Sequence, residues 1–262
     1  MIRLPTQMRS RIALACVVAL LPAAPIVAGF VITAGSAAAR GPRVAAYSAV
    51  STAQFSQLTP EPPSNNGALV AVVRVRTTMR ATPGGRPIGT VRRRTEFGSP
   101  QELWVFRSIP GWLGVVSPLA GNGRIGWIPR SAASIAQTNW ELKVSLSARR
   151  LTVLLGGLIA QRYTVAIGRP DAPTPAGRFE VTDLLTTGDP GGPYGCCILA
   201  LSAKSPHAIQ GWGGGNRIAI HSTPDTGSIG QPVSHGCLRL TLSAGRWLLS
   251  HIPLGTPTLI ST

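Results

Sequence analysis

From residue 69 onward the chain alternates apolar and polar positions in short runs, the two-residue period of half-buried strands. The first series comprises 71–76, 88–91, 103–106, 112–116 and 125–128, with turn residues such as Pro83-Gly84-Gly85 between runs. Short strands at regular spacing predict a small β-barrel over 69–132. A second series begins near Trp140 and includes 142–146, 150–155, 158–160, 163–168, 179–181, 218–220 and 255–260. Gly156-Gly157 predicts a hairpin turn between two of these strands. One stretch has helical spacing instead: Trp247, Leu248 and His251 or Ile252 share a face, Ser243 is placed as the N-cap, and Pro253 and Gly255 end it. The pattern predicts a mainly β protein of two domains, 69–132 and 139–262, with one short helix near the C-terminus.

The first 40 residues read differently. Arg3, Arg9 and Arg11 precede an apolar stretch from Ile12 to about Thr33, and Ala37-x-Ala39 precedes Arg40. This predicts an export segment over 1–40, either a cleaved signal peptide or an uncleaved membrane anchor. The positive flank orients the remainder to the outside, so the expected location is the cell envelope beyond the cytoplasmic membrane. Residues 41–68 are rich in Ser, Thr, Pro and Asn and predict a linker.

Composition adds to this picture. With 30 Gly and 23 Pro and only 13% charged residues, the chain suits many turns and short strands. A formal charge of +16 could serve nucleic-acid binding, but the positive charge is dispersed, with no basic run beyond Arg92-Arg93-Arg94. Export also argues against nucleic acid. Attraction to cell-wall polyanions or anionic lipid fits better. Of the four cysteines, Cys16 lies in the apolar leader, Cys196 and Cys197 are adjacent, and Cys237 stands alone. That is neither a disulfide framework nor a metal-binding spacing. The adjacent pair is compatible with two thiols or with a vicinal disulfide.

Candidate chemistry concentrates in 218–240. Cys237 has His221 16 positions upstream (237 − 221) and His235 two positions upstream. A thiol with an imidazole available to take its proton is what a nucleophilic cysteine requires. The segment 211–216, Gly-Trp-Gly-Gly-Gly-Asn, is an aromatic-bearing flexible loop suited either to a lid over a substrate or to an ordinary hairpin tip.

The ordered series PTPAGRF at 173–179, AIHS at 219–222, SIGQPVSHGCLRL at 228–240 and IPLGTPTLI at 252–260 resembles the catalytic domain of L,D-transpeptidases, the YkuD family. The resemblance spans about 139–262. The region 69–132, with its Pro/Gly turn, IGTV strand, GW-x-GV strand and final GWI, resembles bacterial SH3-like domains, which in exported proteins implies wall contact. The first resemblance implies that Cys237 is the nucleophile and His221 the general base and acid. It implies that the backbone carbonyl of Ser222 orients the His221 ring, that Ser234, His235 and Gly236 shape the turn, and that the amides of Gly236 and Cys237 form an oxyanion hole. Arg239 and Trp212 become candidates for substrate contact. The implied reaction is acyl transfer on peptidoglycan stem peptides, forming 3→3 crosslinks with release of D-Ala, without metal or cofactor, and open to acylation by carbapenem β-lactams. The same thioester resolved by water gives an L,D-carboxypeptidase, and resolved by a protein lysine it attaches a protein to the wall. The rival from another class is a non-catalytic wall-binding protein, which predicts loss of the Cys or His.

Overall fold

The computed structural model describes residues 67–207 and 210–262. The export segment expected over 1–40, and the linker expected through residue 68 except for its last two positions, lie outside the described residues.

Seven strands form the first sheet of the described residues: β1 (Ala68–Val73), β2 (Thr77–Arg80), β3 (Pro87–Val91), β4 (Glu102–Ile109), β5 (Trp112–Val116), β6 (Ile125–Pro129) and β7 (Ala133–Thr138). Their order is β3-β2-β6-β5-β4-β1-β7. Alternation turns Ala71, Val73, Leu103, Val105, Leu113 and Val115 into a common core. Met79 fills the centre because residue 126 is glycine: a Cβ there would lie 2.1 Å from the Met79 sulfur. The sheet does not end at residue 132. Strand β7 pairs with β1 in the register Val70↔Ala136 and carries this sheet to Thr138. Its sequence, ASIAQT, is too small and polar to announce itself, and the strand is made by its ladder with β1.

The second sheet has eight strands in the order β10-β9-β8-β17-β12-β13-β14-β16. Its members are β8 (Trp140–Ser145), β9 (Arg150–Leu155), β10 (Leu158–Thr164), β12 (Gly177–Thr186), β13 (Cys197–Lys204), β14 (Arg217–Ser222), β16 (Leu238–Leu240) and β17 (Pro257–Ser261). A small parallel pair, β11 (Ile167–Gly168) with β15 (Pro232–Ser234), stands beside it. Leu142, Val153, Phe179, Leu199, Ile220 and Leu238 belong to one core. Helix α1 (Leu242–His251), the one α-helix among the described residues, packs Ala244 and Leu248 into that core, against β13 and β14. Its N-cap is Thr241 and not Ser243: the Thr241 backbone is extended, and its hydroxyl accepts from the Ala244 amide. Ser243 is already inside the first turn because β16 ends at Leu240 and the chain bends at once.

The two sheets touch along β4 and β12. Here β12 presents Glu180, Thr182 and Asp183, all buried. The Trp104 amide of β4 donates to the Glu180 carboxyl. Burial holds that carboxyl well above the ordinary carboxylate range.

Candidate active site

Strands β14 and β16 run parallel, with Ile220 opposite Leu238 and His221 opposite Arg239. This pairing brings the end of the AIHS strand beside the residue that follows the SHG turn. The turn is built from its own polar groups. The Ser234 hydroxyl donates to the Cys237 carbonyl at 2.6 Å and accepts from the Gly236 amide at 3.1 Å. Gly236 has φ 113°, and a Cβ at this position would lie 2.7 Å from Ile218 Cδ1, so only glycine fits. From β11 and the loop after it, Thr174 fixes the turn from outside. Its hydroxyl donates to the Gly236 carbonyl at 2.8 Å and accepts from the Gly168 amide at 2.9 Å.

The Cys237 thiol is 2% exposed. Its sulfur accepts from the Ala219 amide at 3.4 Å, and its S–H donates to the Gln210 side-chain oxygen at 3.4 Å. Gln210 in turn donates through Nε2 to the His235 carbonyl at 2.9 Å. His221 is equally buried, with Nδ1 2.9 Å from the Ser222 carbonyl. A carbonyl can only accept, so Nδ1 carries the proton and Nε2 keeps its lone pair. The Ser222 hydroxyl accepts from the Cys197 amide at 3.2 Å. It also lies 3.3 Å from Cys196 Sγ. Cys196 and Cys197 form a vicinal disulfide, so at that contact the hydroxyl is the donor. Ser222 is thus held at both its backbone and its side chain.

Burial is the leading electrostatic influence. It pushes His221 down to about 4, with Arg239 acting in the same direction and the Ser222 hydrogen bond opposing. It pushes the Cys237 thiol up to about 12, against the Ala219 amide and Arg239, which favour the thiolate. Near neutral pH the site therefore holds a neutral thiol and a neutral imidazole.

The residues expected at the site sit in it to different degrees. Cys237, His221, Ser222, Ser234 and Gly236 form the structure just described. Arg239 lies on β16 opposite His221, bonded through its backbone to Ala166, with its Nε buried. Trp212 packs against Ile198, Ala219 and Cys237. The His235 ring is exposed, and the residue contributes its carbonyl. The Gly236 amide is engaged with Ser234 inside the turn. Sequence reasoning assigns no role to Tyr194, whose ring lies 4.8 Å from the His221 ring, or to Gln210 and Thr174. The signals available were an aromatic residue in the Gly-rich run 192–197 and a threonine inside PTPAGRF.

The L,D-transpeptidase catalytic domain of the YkuD family matches residues 139–260. A Bacillus subtilis protein carrying the L,D-transpeptidase name YqjB is 30% identical over 128 residues, which cover 45% of this chain and 69% of that relative. The chain belongs to this family. The B. subtilis protein of the L,D-transpeptidase name YkuD is 33% identical over 122 residues, 47% of this chain and 66% of its own length. The Bacillus licheniformis YkuD is 32% identical, with 62% of its length covered. The match thus spans a little under two thirds of both YkuD proteins. Similar solved structures include an L,D-transpeptidase from Mycobacterium smegmatis (19% identity, 62% of this chain, 90% of that chain, TM-score 0.38). Another is L,D-transpeptidase 3 from Mycobacterium tuberculosis in complex with a faropenem-derived adduct (17% identity, 62% of this chain, 91% of that chain, TM-score 0.40).

Proposed function

We propose that this protein is a peptidoglycan L,D-transpeptidase that forms 3→3 crosslinks through a Cys237 thioester. The observation that carries the reading is the paired placement of a buried thiol and an imidazole protonated on Nδ1 at neighbouring parallel strands, in a chain of this family. His221 Nε2 takes the thiol proton as Sγ bonds to the carbonyl of the third stem residue. The bond from that carbonyl to D-Ala breaks, and D-Ala leaves with the proton. A side-chain amine of an acceptor stem then attacks the thioester, gives its proton to Nε2, and releases the thiol. The Cys237 amide serves as the oxyanion donor, and the Gly236 amide joins it only after leaving Ser234. Arg239 suits a carboxylate of the stem peptide.

The leader-like pattern of residues 1–40 supports action outside the cytoplasmic membrane. The basic first sheet suits an SH3-like wall-contacting role, since the arginines of its sequence are matched there only by Glu96 and Glu102, and Glu96 is taken by Arg217. An electrophilic β-lactam of the carbapenem type would acylate the same sulfur.

The test is incubation of the full-length protein with a disaccharide-tetrapeptide, followed by mass spectrometry. A 3→3 dimer, absent with Cys237→Ala, is the expected result. Tripeptide alone would identify a carboxypeptidase. Full activity in Cys237→Ala would overturn the mechanism.

A further inference from the structure

The loop from β3 to β4, residues 92–101, leaves the first sheet and reaches the segment that covers Cys237. The loop is internally braced. The Thr95 amide donates to the Ser99 carbonyl at 2.9 Å, the Gly98 amide to the Thr95 carbonyl at 3.2 Å, and Arg94 Nη1 to the Gly98 carbonyl at 2.6 Å. Three consecutive residues of this braced loop engage the second sheet and the loop between its strands β13 and β14. The Thr95 hydroxyl donates to the Asp183 carboxylate. Glu96 accepts from Arg217 Nη1 at 2.5 Å. The Phe97 ring lies 5.3 Å from the Trp212 ring, tilted by 31°.

Both lid-side partners lead to the site. Arg217 opens β14, the strand that carries His221. It is fixed by Nε to the Leu201 carbonyl at 2.7 Å and by Nη2 to the Thr182 hydroxyl. Trp212 joins the cluster that contains Cys237. Gln210, two residues before Trp212, holds the thiol. The segment between Gln210 and Arg217 closes on itself through the Arg217 amide to the Gly214 carbonyl at 3.0 Å. Gly211, Gly213, Gly214 and Gly215 surround Trp212, so that segment has no other apolar side chain with which to anchor itself. Besides the polar ties of Gln210 to the His235 carbonyl and of Asn216 Nδ2 to the Ser205 carbonyl at 3.1 Å, its seat over the thiol rests on what Trp212 packs against, and one of those surfaces is Phe97.

We propose that Glu96 and Phe97 of the first sheet are positioning residues of the active site: they clamp the segment 210–217 over Cys237 and so set how readily the nucleophile is uncovered. The first sheet then controls access of donor peptide to the thiol, besides any contact it makes with the wall. This deepens the acyl-transfer reading and rests on it for its consequence, whereas the test needs no substrate.

The experiment measures alkylation of Cys237 by iodoacetamide in the full-length protein without reductant, followed by intact mass and peptide mapping. Phe97→Ala and Glu96→Gln should each speed alkylation by roughly five- to tenfold, the scale of one aromatic pair or one hydrogen bond to charge. The double variant should gain less than the product, because both residues act on one segment. Phe97→Leu should fall between wild type and Phe97→Ala. Phe106→Ala is the control. It removes the ring under Arg178, 4.8 Å away at the same junction of sheets, on strand β4 and outside the loop 92–101, and should change the rate less than about twofold. Unchanged alkylation in both Phe97→Ala and Glu96→Gln would overturn the proposal, as would an equal acceleration in Phe106→Ala. If Phe97→Ala fails to fold, Glu96→Gln decides alone. Failure to form crosslinks with these alkylation results intact would count against the transpeptidase reading and leave the clamp standing.

Discussion

A thiol pushed up to about 12 and an imidazole pushed down to about 4 describe a site at rest, both groups uncharged. A preformed thiolate–imidazolium pair would need both shifts reversed. In the proposed mechanism the sulfur is instead activated at the moment of attack, by proton transfer to Nε2 as the carbonyl arrives. The sign of each shift follows from burial, which disfavours the charged form: the thiolate for cysteine, the imidazolium for histidine. The second-order rate of Cys237 alkylation should therefore keep rising with pH through 10, with no plateau between 6 and 9. A plateau near neutrality, measured by a stopped-time mass assay across that range, would show a resting ion pair instead. The Cys–His pair was legible from the sequence because their chemistry and spacing are local to 218–240. Gln210 and Tyr194 were not, because they reach the site from separate loops and their residue types carry no reaction signature.

Among elements, the strands with clean alternation were legible, and those without it were not. Strand β13, sequence CILALSAK, is buried along seven of its eight residues because it lies between β12 and β14. A central strand has no solvent face to impose the period of two. Its strand character came from its neighbours. Helix α1 was legible in its periodicity, while its first turn was displaced by where β16 ends. Thr241→Ala should remove the cap and cost about 1 kcal/mol, lowering Tm by about 2–4 °C, whereas Ser243→Ala should stay within about 0.5 kcal/mol. Thermal unfolding followed by far-UV circular dichroism compares the two. Equal losses would mean that Ser243 caps after all.

At the scale of the whole molecule, the junction of the two sheets buries acidic groups that no single sheet would need. Glu180 takes the Trp104 amide from the other sheet, Asp183 takes Thr95, and Arg217 lies 3.6 Å from Asp183. The raised position of Glu180 means that, from about 4.5 upward, the folded state holds a proton that the unfolded chain has lost. Stability then falls as pH rises through that window. Glu180→Gln keeps an acceptor for the Trp104 amide and removes the ionisation. The difference in Tm between this variant and wild type should become more positive from pH 5 to pH 9. His221 contributes in the opposite direction, being destabilising as pH falls from 6.5 toward 4, but it is present in both proteins and cancels. A Tm difference that stayed flat over this range would show that Glu180 is ionised in the folded protein.

By itself the sequence determined the alternating strands, the helix, the thiol and imidazole proposed as the reacting pair, and the ordered motifs of the family. Each of these is encoded in residues close together along the chain, where period, turn chemistry and reactive side chains can be read directly. Tertiary structure decided that the first sheet extends to Thr138, that Cys196 and Cys197 join beside Ser222, and that Gln210 and Trp212 cover the thiol. It also decided that Glu96 and Phe97 reach that cover from another sheet. Those contacts depend on strand order and register, which bring residues 26 to 121 positions apart into van der Waals and hydrogen-bond range, and no local pattern records such pairings. It decided the charge state of the site as well, because desolvation belongs to the packed interior and not to the residue that is packed there.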